Sequence, residues 1–461
     1  MLPEDILDLS AVEQSRLVRS GQVSSEELTR TYLGRIERLN PRLNAFVDVF
    51  TRSAIVEARL KDAARRFGRP LPPFHGIPIG IKDLNLVRLS TARFGSGVFK
   101  LWSPIDDATT TQLRKGGFVV LGKLAASEFG AMPVTEPAHH GPTRNPWSLA
   151  HTAGGSSGGS GAAVAARLLP IAHGSDGGGS IRIPASFCHL YGLKPSRGRL
   201  RNQFWLKDTH LLYTCGSLAR SVEDAAAMLD VMAGVTAGRP HRLPLPAQPF
   251  QELARQEPKR LRIQMMLHGP LVETLPEITA QVRRVADVLR SAGHTVDEVP
   301  APGGTLEEFL PIYQKFVSLM PGVPWAKTQP VTAWLALAGK KLSMDFVAQR
   351  QASMTARLAA GFTGADAWLL PTVPVLPPAV GAWSAWSPEK IFSAAAELGS
   401  CTVAFNLLGY PAASLPMALA SDGRPIGVQV AAPLGEEGRV LALSTQIERA
   451  LPWSGRKASL G

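Results

Sequence analysis

The chain has 461 residues, 45% hydrophobic and 19% charged, enough apolar material for a large folded core and too few charges for a disordered chain. Lysine and arginine outnumber aspartate and glutamate 49 to 37, a net charge of +12. The basic residues nevertheless never run five together; Lys259–Arg262, Arg197–Arg201 and Arg65–Arg66 read as a solvated basic surface, so a nucleic-acid partner is not expected.

The N-terminus is acidic at Glu4, Asp5 and Asp8, where a signal peptide would be basic and then apolar. The three cysteines, Cys188, Cys215 and Cys401, contain no C-x-x-C pair, which argues against a disulfide framework or a cysteine zinc site and fits a reducing, cytoplasmic location. Residues 10–66 read as helices: Ser24 through Glu27 resembles a capping box, and Leu28, Tyr32, Ile36 and Leu39 recur at helical spacing. From His75 the pattern changes to short apolar runs bounded by glycine, at 76–81 and 117–122, separated by a helix-like stretch from Ala108 to Lys115. Strand, helix, strand predicts an α/β fold.

The Gly/Ser block 154–161 runs into Ala162–Ala166 and predicts a loop feeding a tightly packed helix; a second block, 174–179, precedes Ser180–Pro184. Residues 234–258, rich in Pro, Gly and polar side chains, suggest a crossover. After it, Arg262–Leu267, a helix around Ile278–Ser291 and His294–Val299 form a β-α-β unit. The uncharged stretch from Ala367 to Ser387 is broken by Pro371, Pro374, Pro377 and Pro378, so it reads as a buried strand end and loop, not a membrane span.

H-E-x-x-H, the P-loop and G-x-G-x-x-G are all absent. Gly155–Gly159 matches the G-x-S-x-G nucleophile elbow around Ser157, but that fold needs a late histidine and all ten histidines lie at or before His294. Ser387–Lys390 matches S-x-x-K without S-D-N or K-T-G, and is read as a helix start. A different base is available in Lys82, which ends an apolar strand and can be desolvated until its neutral form is populated near pH 7; the plain alternative is a surface lysine paired with Asp83.

The Gly/Ser-rich stretch Gly154–Arg182, together with Gly76-Ile-Pro-x-x-x-Lys82-Asp83 upstream, resembles the amidase signature hydrolases. Similar landmarks follow in order: Asp107–Thr109, Gly122–Lys123, Glu128–Phe129, Thr143–Trp147, Gly192–Pro195, Arg220–Asp224 and Gly423–Gln429. The resemblance implies one domain over 1–461, with a mixed central sheet covered by helices on both faces. Its parts are a helical covering segment 1–66, a catalytic core 75–230, a variable substrate-shaping region 235–400 and a C-terminal return 401–455. It also implies Ser180 as nucleophile of an acyl-enzyme, Ser156 as a bridging serine in a cis peptide, and Lys82 as general base. Hydroxyl nucleophiles need such a base. The side-chain-free run Gly177, Gly178, Gly179 with Ser180 can aim its amides at an oxyanion. Asp176 and Arg182 are expected to hold that loop as an ion pair, Ser157 to support it, and the Met132 carbonyl to line the site. No metal or organic cofactor is implied.

The family also contains the glutaminase A subunit of glutamyl-tRNA amidotransferase, which works with a partner. Against that alternative, Ile183 follows the Ser-Ile-Arg triplet where that subunit has Gln, Tyr213 and Ser217 stand where it has Asp and Pro, and only Arg350 is near the position of its glutamine-gripping arginine. Residues 176–186 and 192–198 look more like the branch containing the 6-aminohexanoate-cyclic-dimer hydrolase. The expectation is therefore a free-standing amidase acting on a small linear or cyclic amide, with a non-catalytic binding subunit as the other alternative and a homodimer left open. Tyr213 is a candidate substrate-binding residue. Phe204, Trp205, Tyr213, Phe309, Tyr313, Phe316 and Trp325 suggest a pocket with apolar walls, ordinary core being the competing reading.

Overall fold

A computed structural model describes residues 2, 4–201, 212–233 and 243–460; Phe204, Trp205 and residues 234–242 of the expected crossover lie outside the described residues. The strands, in chain order, are β1 (Phe46–Val49), β2 (Pro78–Lys82), β3 (Ser90–Ala92), β4 (Leu101–Ser103), β5 (Val119–Leu124), β6 (Arg144–Asn145), β7 (Ser148–Thr152), β8 (Ile171–Asp176), β9 (Tyr191–Lys194), β10 (Thr214–Ala219), β11 (Arg262–Met265), β12 (Thr295–Glu298), β13 (Ala367–Pro371), β14 (Ala412–Leu419) and β15 (Pro425–Ala431). Eleven of them make one sheet in the order β1-β5-β2-β8-β10-β9-β14-β15-β13-β11-β12; β3-β4 and β6-β7 are separate hairpins.

The sheet is mixed. β2 runs parallel to β5 and β8, and β11 runs parallel to β12 and β13, while the remaining neighbours are antiparallel. The β-α-β unit expected after residue 262 is present, its two strands joined by the helix Pro276–Ser291. Every residue of β2, β5, β8, β9, β10, β13 and β15 is buried, as short apolar runs bounded by glycine require when helices cover the sheet. Strands from the first half of the chain fill one side of the sheet and those from the second half the other, meeting where β9 pairs with β14.

The helix Ser25–Leu43 starts at the expected place, with Ser24 and Glu27 closing a capping box. Residues 10–66 are not all helical, however: Asn44 ends that helix in the left-handed conformation (φ 53°), and β1 follows as a four-residue edge strand too short to show alternation. Ser387 caps the helix Pro388–Gly399, as read from the sequence. The Gly/Ser block differs from its reading, because the helix begins at Gly158, inside the block. Its glycines are there for packing: a Cβ on Gly159 would lie 2.3 Å from the Ala125 nitrogen and 2.5 Å from the Ala45 carbonyl oxygen. The Arg197–Arg201 cluster is not a surface patch either, since Arg199 is buried in an ion pair with Glu437 at 2.8 Å.

The short helix Arg182–Phe187 packs against β9, β14 and β15, at the seam between the two halves. Gly192 and Gly427 make this approach feasible: Cβ atoms there would lie 2.4 Å from Ala185 Cβ and 2.6 Å from Ser186 Oγ. Ser180 therefore sits between the end of β8 and a helix held down on the sheet. No helix among the described residues is long and apolar enough to cross a membrane.

Candidate active site

Lys82 is the last residue of β2 and is fully buried. Its Nζ lies 2.7 Å from Ser156 Oγ, 3.0 Å from Ser175 Oγ and 3.3 Å from the Ser175 carbonyl. Burial pushes the ammonium down to about 7, against the opposing pull of the Asp176 carboxylate. The surface pair with Asp83 does not form. Asp83 turns instead to the buried Lys123, 3.3 Å away, and accepts backbone N–H groups from Arg93 and Gly95.

The Gly155–Ser156 peptide is cis. Gly155 is wedged against main chain, where a Cβ would come within 2.8 Å of the Met132 carbonyl oxygen. The Ser156 carbonyl accepts the Ser127 N–H at 3.2 Å, and Ser127 Oγ in turn donates to the Met132 carbonyl at 3.0 Å. Ser157 ties the loop to β8: its hydroxyl donates to the Ser175 carbonyl at 3.2 Å and its N–H to the Ser180 carbonyl at 3.2 Å. Ser156 and Ser180 are thus drawn to the same end of β8, beside Lys82.

Asp176 and Arg182 are both fully buried and form a two-pronged pair, Nε to Oδ2 and Nη2 to Oδ1 at 2.9 Å each. Burial alone would raise the Asp176 carboxyl, but the Arg182 guanidinium outweighs it and holds the group well below the usual carboxylate range. The carboxylate also accepts the Gly179 N–H at 2.7 Å and the Ile181 N–H at 3.1 Å. One of the expected oxyanion amides, that of Gly179, is therefore already committed. The N–H groups of Gly177, Gly178 and Ser180 donate to no acceptor among the described residues.

Several residues here escaped the sequence reading. Ser175 bridges Lys82 and Ser157, and its only sequence signal is a hydroxyl inside a fully buried strand. Thr402 donates to the Gly178 carbonyl at 2.6 Å; Asn406 and Gln429 reach Arg182 at 2.6 and 2.7 Å. These three come from the far end of the chain and carried no signal of proximity. Tyr213 is placed elsewhere: its buried hydroxyl lies 3.3 Å from Asn85 Oδ1 and 3.3 Å from Cys215 Sγ, and it is not among the residues lining the cavity over Ser180.

That cavity, of about 110 Å³, is lined by Ala131, Met132, Pro133, Gly178, Ser180 and Ile183 from the first half of the chain and otherwise by described residues from Met266 to Leu407. Phe309 and Tyr313 belong to its wall. Trp325 is buried in a neighbouring hydrophobic cluster, as the core reading has it, whereas the partly buried Phe316 ring stands beside Gly177, 3.3 Å from where a Cβ there would lie.

The amidase family profile matches residues 27–322 and 326–441, nearly the whole chain. The chain belongs to the amidase signature family. Members of that family hydrolyse amides at carbon–nitrogen bonds other than peptide bonds, and this amidase is accordingly a hydrolase acting on amides. It is 34% identical over 489 residues to the 6-aminohexanoate-cyclic-dimer hydrolases of Pseudomonas sp. (strain NK87) and Paenarthrobacter ureafaciens, covering 98% of this chain and 96% of each relative. A solved structure of 6-aminohexanoate cyclic dimer hydrolase complexed with substrate superposes with a TM-score of 0.89 at 31% identity, over 98% of this chain and 99% of that one. A bacterial aryl acylamidase of the same family superposes with a TM-score of 0.88 at 25% identity, over 97% and 99% of the two chains. The mixed sheet flanked by helices is thus the fold of the amidase signature enzymes.

Proposed function

We propose that this amidase cleaves its substrate through an acyl-enzyme on Ser180, with Ser156 carrying the proton between Ser180 and Lys82. The observation that carries the reading is the buried Lys82 Nζ, 2.7 Å from Ser156 Oγ, where burial pushes the ammonium down to about 7. A neutral amine has a lone pair to accept the Ser156 proton as Ser156 accepts that of Ser180. Ser180 Oγ then attacks the amide carbon, and the carbonyl electron pair moves to oxygen, facing the uncommitted N–H groups of Gly177, Gly178 and Ser180. Collapse breaks the C–N bond, the amine leaves with the proton, and water attacks the Ser180 ester to release the carboxylic acid. Asp176, Arg182 and Ser157 hold the loop, and Met132, its carbonyl accepting the Ser127 hydroxyl, lines the same cavity.

The cavity lining favours a free-standing enzyme over a glutaminase subunit. Arg350 is not part of it; its guanidinium lies 5.2 Å from the centre of the Phe346 ring on the surface. Among the described residues, no Asp, Glu, Lys or Arg lines the cavity to pair with glutamine's carboxylate or ammonium. The test is turnover of primary, aryl, peptidyl and cyclic amides, plus glutamine, by wild type, Ser180→Ala and Lys82→Ala. Folded variants should lose at least about 10³-fold in kcat. A Ser180→Ala protein that keeps its activity would overturn the assignment.

A further inference from the structure

The cavity wall states what it can recognise. Its polar side chains are few and already engaged: Tyr313 Oη donates to the Ala131 carbonyl at 2.9 Å, Ser400 Oγ to the Glu397 carbonyl at 2.8 Å, and Thr305 Oγ1 caps the helix Leu306–Ser318. His268 accepts the Thr274 N–H on Nδ1 and stands exposed. The Cys401 thiol is buried, and burial keeps it neutral. Elsewhere the surface belongs to residues such as Ile183, Phe309, Met354, Leu358 and Phe392, with no Asp, Glu, Lys or Arg among the described lining residues.

From this lining we infer that the amide carries its bulk as an uncharged apolar group, bound by burial of hydrocarbon and not by hydrogen bonds. The inference rests on Ser180 as the nucleophile and adds the substrate class. Each methylene moved from water into such a wall contributes about 0.8 kcal/mol, roughly fourfold in kcat/KM. A carboxylate or ammonium placed there would be desolvated with no partner, which costs several kcal/mol. Whether the apolar group is the acyl or the amine half is decided by the two arms of the experiment.

The full-length enzyme is assayed with p-nitroanilides of straight-chain acids from acetyl to decanoyl, and with acetamides of n-alkylamines of the same lengths. Each long member is paired with analogues ending in a carboxylate or an ammonium. In one arm kcat/KM should climb about three- to fourfold per methylene until the cavity is filled, and the charged ends should lower it at least about 100-fold. Labelling of Ser180 by an uncharged alkyl fluorophosphonate, read by mass spectrometry, separates the two levels of the argument. A labelled enzyme that shows flat series, prefers the charged ends, or turns over neither series would overturn the substrate class alone. An unlabelled enzyme without turnover would overturn both readings.

Discussion

A lysine Nζ cut off from water must either find partners for its charge or shed its proton, and Lys82 does some of each. Its neighbours are hydroxyls and a carbonyl, with the nearest carboxylates held by Arg182 and Lys123. In the proposed mechanism the base is the neutral amine, so kcat/KM should fall tenfold per pH unit below about 7 and level off above about 8, in a pH-rate profile with saturating buffer controls. A profile flat from pH 5 to 9 would remove Lys82 from the base role. The same shift carries a stability consequence. Between about pH 7 and the unfolded value near 10.4 the unfolded chain binds more protons, so wild-type stability rises with pH across that window and is lost on descending it. Lys82→Met lacks this term. Urea unfolding at pH 7, 8 and 9 should show the variant gaining on wild type by about 1 kcal/mol per unit as the pH falls. Lys82 was legible in the sequence as a lysine ending an apolar strand. Ser175 was not, because a serine on a strand gives no sign of which side chain it will face.

At the scale of the element, the Gly178–Gly179 peptide is clamped at both ends. Its carbonyl accepts the Thr402 hydroxyl at 2.6 Å and its N–H donates to Asp176 at 2.7 Å, so the plane is held from both sides, and with it the flanking amides that the proposed mechanism aims at an oxyanion. Thr402 is a positioning residue on this account, and its hydroxyl should matter for the transition state more than for substrate binding. Thr402→Val should lose about tenfold in kcat with KM within about twofold, and Thr402→Ser should restore most of it. Equal losses in both variants would point to packing instead. The glycine run was readable as an amide cradle, whereas the loss of the Gly179 amide to Asp176 depends on a carboxylate three residues away folding back on its own loop. Likewise the helix starting inside the Gly/Ser block was hidden, since glycine ordinarily opposes helix and only close neighbours such as Ala125 and Ala45 make it necessary.

For the molecule as a whole, the two halves of the chain meet at the β9–β14 pairing, and the helix following Ser180 is laid across that seam. Function and stability should therefore fail together when the seam is disturbed. Gly427→Ala, remote from Ser180 in sequence, would drive a Cβ to 2.6 Å from Ser186 Oγ and 2.9 Å from Ser186 Cα. A destabilisation of about 1–3 kcal/mol is expected, read as a lower midpoint in thermal unfolding, together with a lower kcat at temperatures where the variant is folded. Unchanged activity in a destabilised variant would show that the helix is not held by this contact.

What the sequence determined by itself is the local chemistry: helix caps at Ser24 and Ser387, apolar strands bounded by glycine, a β-α-β unit after Arg262, and the serines, glycines and lysine of the signature stretch. These are legible because capping, strand burial and turn geometry act over a few residues. Only the tertiary structure decided which of them meet. It turned Lys82 toward Ser156 and away from Asp83, set the Tyr213 hydroxyl against Asn85 and Cys215, and buried Arg199 against Glu437. It also brought Thr402, Asn406 and Gln429 onto the loop around Ser180. The physical reason is that burial and pairing depend on distances between residues hundreds of positions apart, which are set when the eleven-stranded sheet closes its order and not by any neighbour along the chain.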